Sequence, residues 1–114
     1  MRLEIVPIDA GTTRLRLIGR MDGPGCERIE TSFTAASSAA AAHVLVDMSE
    51  VDYVGSLGIR LLISNARVVH RRGRKIVIIG AQPQPQDVFE TVALADLIPI
   101  ARDDAEAVGL LAGG

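Results

Sequence analysis

The chain is predicted to fold as an α/β domain. Three observations lead there. Two short alternating segments at the start read as a hairpin. After them, helical and strand-like patterns take turns to the end of the chain. Hydrophobic residues make up 48%, yet aromatics only 3% and Trp is absent, so Val, Ile, Leu and Ala must build the core. That composition suits a sheet covered by helices, and the strand–helix alternation makes the later strands parallel. At 114 residues, the chain reads as one domain over 1–114, large enough for a core without staples.

Each element has its own signal. Residues 2–8 alternate, as do residues 13–19 with Leu15 and Leu17 on one face and Arg14 and Arg16 on the other. Asp9-Ala10-Gly11 turns between them. Pro7 restricts the first strand to an edge or a strand end. Pro24, after Gly23, suits a first helical turn, and residues 25–41 follow as a helix with Ile29, Phe33 and Ala36 on one face. The tract from Ala35 to Ala42 reads as ordinary helix, since Ala is the best helix former. Residues 43–47 are a continuous apolar run ending in Asp47, the pattern of a central buried strand. Residues 57–72 place Ile59, Leu62, Ile63, Ala66 and Val69 on one stripe, and Gly73 closes that helix. Residues 75–80 are a second buried strand, and 82–86 a restricted turn leading to a short helix over 86–93. Ile98 to Ala101 is a short strand, Asp103 caps a last helix running to about residue 111, and Gly113-Gly114 frays.

Composition excludes several function classes. A formal net charge of −2 gives no global field for nucleic acid, and no aromatic platform accompanies the basic residues. Cys26 is the one cysteine, so no internal disulfide, CxxC pair or cysteine zinc cluster can form. His43 and His70 have no metal-ligand spacing around them. No apolar run reaches about 18 residues, and the N-terminus reads as a strand and not as a signal peptide. The expectation is a soluble, reduced, cytoplasmic protein with no membrane span, no metal and no cofactor.

The most informative stretch is Val44 to Arg60, where an apolar strand meets an acidic turn, then Gly55-Ser56-Leu57-Gly58, then a helix. Ser56 falls at or just before a helix N-terminus, where free amides and the dipole favour an anion. Two readings of its hydroxyl stand: a simple N-cap, or a place to carry a phosphate.

This stretch resembles the STAS domain family, named after sulfate transporters and anti-sigma factor antagonists. In that family a strand ending in Asp is followed by a Val-Asp-Tyr/Phe turn, a serine-containing step and Gly-Leu/Ile opening a helix. The matching residues are Asp47, Val51-Asp52-Tyr53, Ser56 and Gly58-Ile59. Gly19-Arg20-Met21-Asp22 is similar to the family's Gly-x-Leu-Asp, residues 95–100 to its late strand, and residues 103–108 to its closing helix. The resemblance implies a mixed sheet of about five strands with helices packed largely on one face. It also implies an anti-sigma factor antagonist that binds an anti-sigma serine kinase and is inactivated by phosphorylation on Ser56. The ATP of that cycle belongs to the kinase. Partner-binding candidates are Asp22, Asp52, Gly55, Ser56, Gly58 and Arg60. Regulated members read Asp-Ser-Ser/Thr-Gly, whereas Gly55 and Leu57 stand here in place of the aspartate and the second hydroxyl. The alternative is a STAS scaffold in another signalling or transport complex, without phosphorylation.

Asp22, Asp47 and Asp52 form the next group, which the resemblance places near Ser56. With no nucleophile and no histidine close in sequence, they read as backbone acceptors or partner contacts and not as a catalytic set. The cations Arg67, Arg71, Arg72, Arg74 and Lys75, with His70, gather at the end of the second long helix. There they complement its dipole or offer a docking patch to an acidic partner. Cys26 lies near a helix start that could stabilise a thiolate, although chance occurrence explains it as well.

Overall fold

In the computed structural model, which describes residues 1–39 and 42–112, the first two strands form the expected hairpin. They are β1 (Arg2–Asp9) and β2 (Thr12–Met21), paired antiparallel, with the Asp9 carboxylate accepting the Gly11 amide at 2.7 Å to close the turn. β1 lies at the sheet edge, where Pro7 costs no central ladder bond. The remaining elements are α1 (Gly23–Ala39), β3 (His43–Val54), α2 (Ser56–Arg71), β4 (Ile76–Ile79), α3 (Pro83–Thr91), β5 (Ile100–Ala101) and α4 (Asp104–Ala112). The sheet order is β1-β2-β3-β4-β5, parallel from β2 onward. The mixed five-stranded sheet is therefore as expected. Ala40, Ala41 and the terminal Gly113-Gly114, expected as helix and as a frayed end, lie outside the described residues.

Period-two alternation gives the sheet two different faces. Leu15, Leu17, Val44, Val46, Ile76 and Ile78 point to the side covered by α1, α2 and α3, where Phe33, Leu62 and Phe89 complete the main core. Leu45, Val77 and Ile79 point to the other side, where α4 supplies Ala107 and Leu111. Among the described residues, three helices share one face and one takes the other. Ile63 packs against the main core while only partly buried.

Several boundaries differ from those read in the sequence. β3 does not stop at Asp47; its pairing with β2 carries it to Val54. The segment Val51-Asp52-Tyr53 is thus strand and not turn, and the register slips there so that Asp52 bulges out between paired residues. α3 begins at Pro83, because Pro at the first helical position gives up only an amide that has no helical acceptor. The family's late strand is reduced to Ile100–Ala101; a single 3-10 turn, Leu94–Asp96, occupies the residues before it, entered through Ala93 in the left-handed region.

Asp47 is not near Ser56. It is buried on the α4 face of the sheet, where it accepts Arg14 at 2.8 Å, the Ser49 hydroxyl at 2.7 Å and the Ser49 amide at 3.0 Å. Arg14 also reaches Asp104 in the first turn of α4. Burial by itself would raise the Asp47 pKa, but the bonds from Ser49 and Arg14 outweigh it and hold the carboxyl below its ordinary value. A carboxyl whose folded pKa is depressed adds stability above its unfolded value, about 3.9, and that stability is lost as pH falls through the folded value. Urea unfolding across the acid range is therefore expected to show a shallower decline for Asp47→Asn than for the wild type.

Candidate functional site

The site is built where two helix starts meet the far end of β3. At the first, Asp22 accepts the Gly25 amide at 2.8 Å through its side chain and the Cys26 amide at 2.9 Å through its carbonyl. Asp22 is therefore the N-cap of α1. Its other carboxylate oxygen lies 3.3 Å from Arg20, whose guanidinium sits 3.8 Å over the Tyr53 ring. At the second, Gly55 donates to the Met21 carbonyl at 3.1 Å and accepts from Ile59 at 3.2 Å. These bonds hold the α2 start against the end of β2.

Gly58 is buried and lets the helix come this close. A Cβ there would lie 3.1 Å from Met21 and from Val54. Among the sequence candidates it is the one set beneath the surface. Ser56, Asp52 and Arg60 are exposed, while Asp22 and Gly55 are half-buried. Asp22, Gly55 and Ser56 are joined through the Met21 corner. Asp52 stands on the β3 bulge, and Arg60 one turn along α2 from Ser56.

The cap reading of Ser56 is corrected by one residue. The N-cap of α2 is Gly55, in extended conformation and without a side-chain bond, and Ser56 is the first helical residue. Among the described residues its hydroxyl has no hydrogen-bond partner. The amides at the first helical positions have no acceptor within the helix, as at any α-helix start. Ser56→Ala is therefore expected to change stability by no more than about 0.5 kcal/mol, as surface substitutions do. Asp22→Ala removes a working cap and is expected to cost about 0.5–2 kcal/mol, most of it restored by Asp22→Asn. Thermal melts of the three variants check this pair of expectations.

Residues outside the set of binding candidates help to complete the surface. Leu57, next to Ser56, is 45% exposed despite its size. On one side of the Ser56-Leu57 ridge lies a cleft of about 360 Å³ between Tyr53, Gln84, Val88 and Val92. On the other lies an α1–α2 groove of about 350 Å³ lined by Glu27, Glu30, Leu57 and Arg60. Arg60 forms no ion pair among the described residues. Gln84 fixes the rim: its side-chain amide donates to the Val54 carbonyl at 3.2 Å and accepts the Val54 amide at 2.8 Å. It continues the ladder where β4 has ended.

Cys26 is buried in the α1–α2 interface. Desolvation, with the Asp22 and Glu30 charges, pushes its thiol pKa up, the opposite of an activated thiolate. The basic cluster lies at the other end of α2, where Arg72 bonds the Ser38 carbonyl of α1.

The STAS domain profile matches residues 5–107. The chain belongs to the STAS domain family. Among relatives, BtrV of Bordetella bronchiseptica, named as an anti-sigma factor antagonist, is 25% identical over 101 residues, covering 89% of this chain and 86% of BtrV. The fold also matches the crystal structure of an anti-sigma factor antagonist from Mycobacterium paratuberculosis. That match has a TM-score of 0.86 at 15% identity, over 96% of this chain and 92% of the other. The Bacillus cell fate determinant SpoIIAA in its phosphorylated form matches with a TM-score of 0.71 at 18% identity, over 94% of this chain and 96% of that one. At these identities the two structures speak to the STAS fold alone.

Proposed function

We propose that this STAS chain is an anti-sigma factor antagonist. It is a non-catalytic cytoplasmic module that binds an anti-sigma serine kinase through the Ser56-Leu57 ridge and is released when Ser56 is phosphorylated. The observation that carries the reading is the pairing of an exposed Ser56 hydroxyl, without a hydrogen-bond partner among the described residues, with an exposed Leu57 at the head of α2. A hydroxyl that caps nothing is free for modification, and a large apolar side chain held in water beside it suits a protein contact. Arg60 and the half-buried Asp22 flank that contact, and the nucleotide of the cycle is carried by the kinase.

A second reading rests on Gly55 and Leu57, which leave Ser56 as the sole hydroxyl of the motif. In that reading the chain holds its partner without a phosphate switch, as a scaffold. Affinity capture from native lysate, with intact-mass measurement of the bait, separates the two. A captured serine kinase and a phosphate on the unbound fraction support the switch. A captured partner without kinase activity, and bait of unmodified mass, support the scaffold. Under either reading Arg60→Ala is expected to weaken capture roughly tenfold, the size of a typical interface anchor, with an unchanged melting temperature.

A further inference from the structure

At the opposite end of β3 from Ser56, a cleft of about 590 Å³ opens between the β1–β2 turn and α4. Its floor and walls are apolar: Leu45 is buried beneath it, Leu111 lies at its edge, and Ile8 and Val108 stand 45% and 57% exposed. Two residues that carry hydrogen-bond donors, His43 and Lys75, line this surface. His43 accepts the Lys75 amide on Nδ1 at 2.9 Å, so the neutral ring carries its proton on Nε2. Among the described residues that Nε2–H has no acceptor. The Lys75 ammonium reaches the Leu110 and Leu111 carbonyls only at 3.4 Å each, which leaves a third donor and much of its charge unused. Asp9 is the acidic group on the rim, and its Oδ1 is turned to the Gly11 amide at 2.7 Å.

We infer that this cleft is a second binding site, for a small amphipathic carboxylate: its head on Lys75 and His43 Nε2, its short apolar tail over Ile8, Val108 and Leu111. The size falls in the range of small-ligand pockets, and few polar groups converging on an apolar wall are what such pockets have. The charge selects the head. Lys75 supplies a cation and His43 a donor, so an anion is held where an alcohol would find half the bonds. None of these residues belongs to the Ser56 surface, so the site stands whether or not that surface is a phosphate switch.

The test is a titration of the ¹⁵N-labelled full chain with octanoate below its micelle concentration, followed by amide shifts. Saturable shifts are expected at Gly11, His43, Lys75 and Val108, with Ser56 and Arg60 unmoved. Octanol should bind more weakly, and Lys75→Gln should weaken octanoate roughly tenfold or more, as loss of a charge-assisted bond does. Val108→Asp, a change on the exposed face of α4, should do the same without unfolding the chain. Shifts that do not saturate, that centre on Leu57, that are equal for octanol, or that survive both variants overturn the inference. So do shifts that follow protein concentration alone, since these report a second copy or a peptide segment in the cleft.

Discussion

Gly25→Ala is expected to lower the melting temperature by several degrees, although it adds only one methyl group, at a buried position. A Cβ at this position would lie 2.1 Å from the Arg20 carbonyl oxygen and 3.1 Å from Asp22 Oδ1. The first contact is with backbone, so no side-chain rotation relieves it; either the end of β2 or the first turn of α1 must move. Overpacking of this kind costs about 1–3 kcal/mol. At about 4 °C for each kcal/mol in a domain of this size, the shift is large enough for a thermal melt. The same movement would pull the Gly25 amide from the Asp22 cap, which is bonded at 2.8 Å. Cap loss and strain therefore act together, and Gly25→Ala should be more damaging than Asp22→Ala. Because this corner also carries Met21, to which Gly55 is bonded, the variant should reach the Ser56 surface. An unchanged melting temperature would mean that the corner relaxes freely and that the close approach has no energetic weight.

Type and order of the main elements were legible because period-two and 3.6-residue patterns are dictated by which face is buried. Phe33 under α1 and the Ile59-Leu62-Ala66-Val69 stripe under α2 show this directly. The length of β3 was not legible. Ser49, Glu50 and Asp52 have the chemistry of a turn, and only pairing with a neighbouring strand, β2, extends the backbone to Val54. Asp47 and Asp52 are five positions apart yet belong to different surroundings, one in the Arg14 network under α4 and the other on an exposed bulge. The candidate site was legible in its motif and illegible in its walls. Gln84 acts on Val54 from another element, a contact that leaves no local pattern. The role of Ser56 turned on one residue of helix boundary, which is finer than sequence patterns resolve.

Phosphorylation of Ser56 is expected to abolish partner binding while leaving the fold intact or slightly stabilised. Ser56 is exposed and at the first position of α2, whose leading amides have no helical acceptors. A phosphate there adds roughly −1.5 to −2 charges at the positive end of the helix dipole. That placement is favourable by about 0.3–1 kcal/mol. The melting temperature should therefore hold or rise by a degree or two. Binding should respond differently, because charge and bulk appear on the ridge proposed to meet the partner. Uncompensated charge in an interface costs several kcal/mol, so affinity should fall roughly a hundredfold or more. Ser56→Ala supplies the other half of the test. It removes no cap, so it should melt with the wild type, resist phosphorylation by the cognate kinase and stay bound under conditions that release the wild type. Ser56→Asp gives a partial charge mimic and an intermediate loss. Phosphate found on another residue, or a phosphorylated chain that binds as tightly as before, would replace the switch with the scaffold. A cognate kinase that leaves Ser56 untouched would do the same. In the scaffold case, exposed Leu57 would carry the contact, and Leu57→Ala would weaken binding where Ser56→Ala does not.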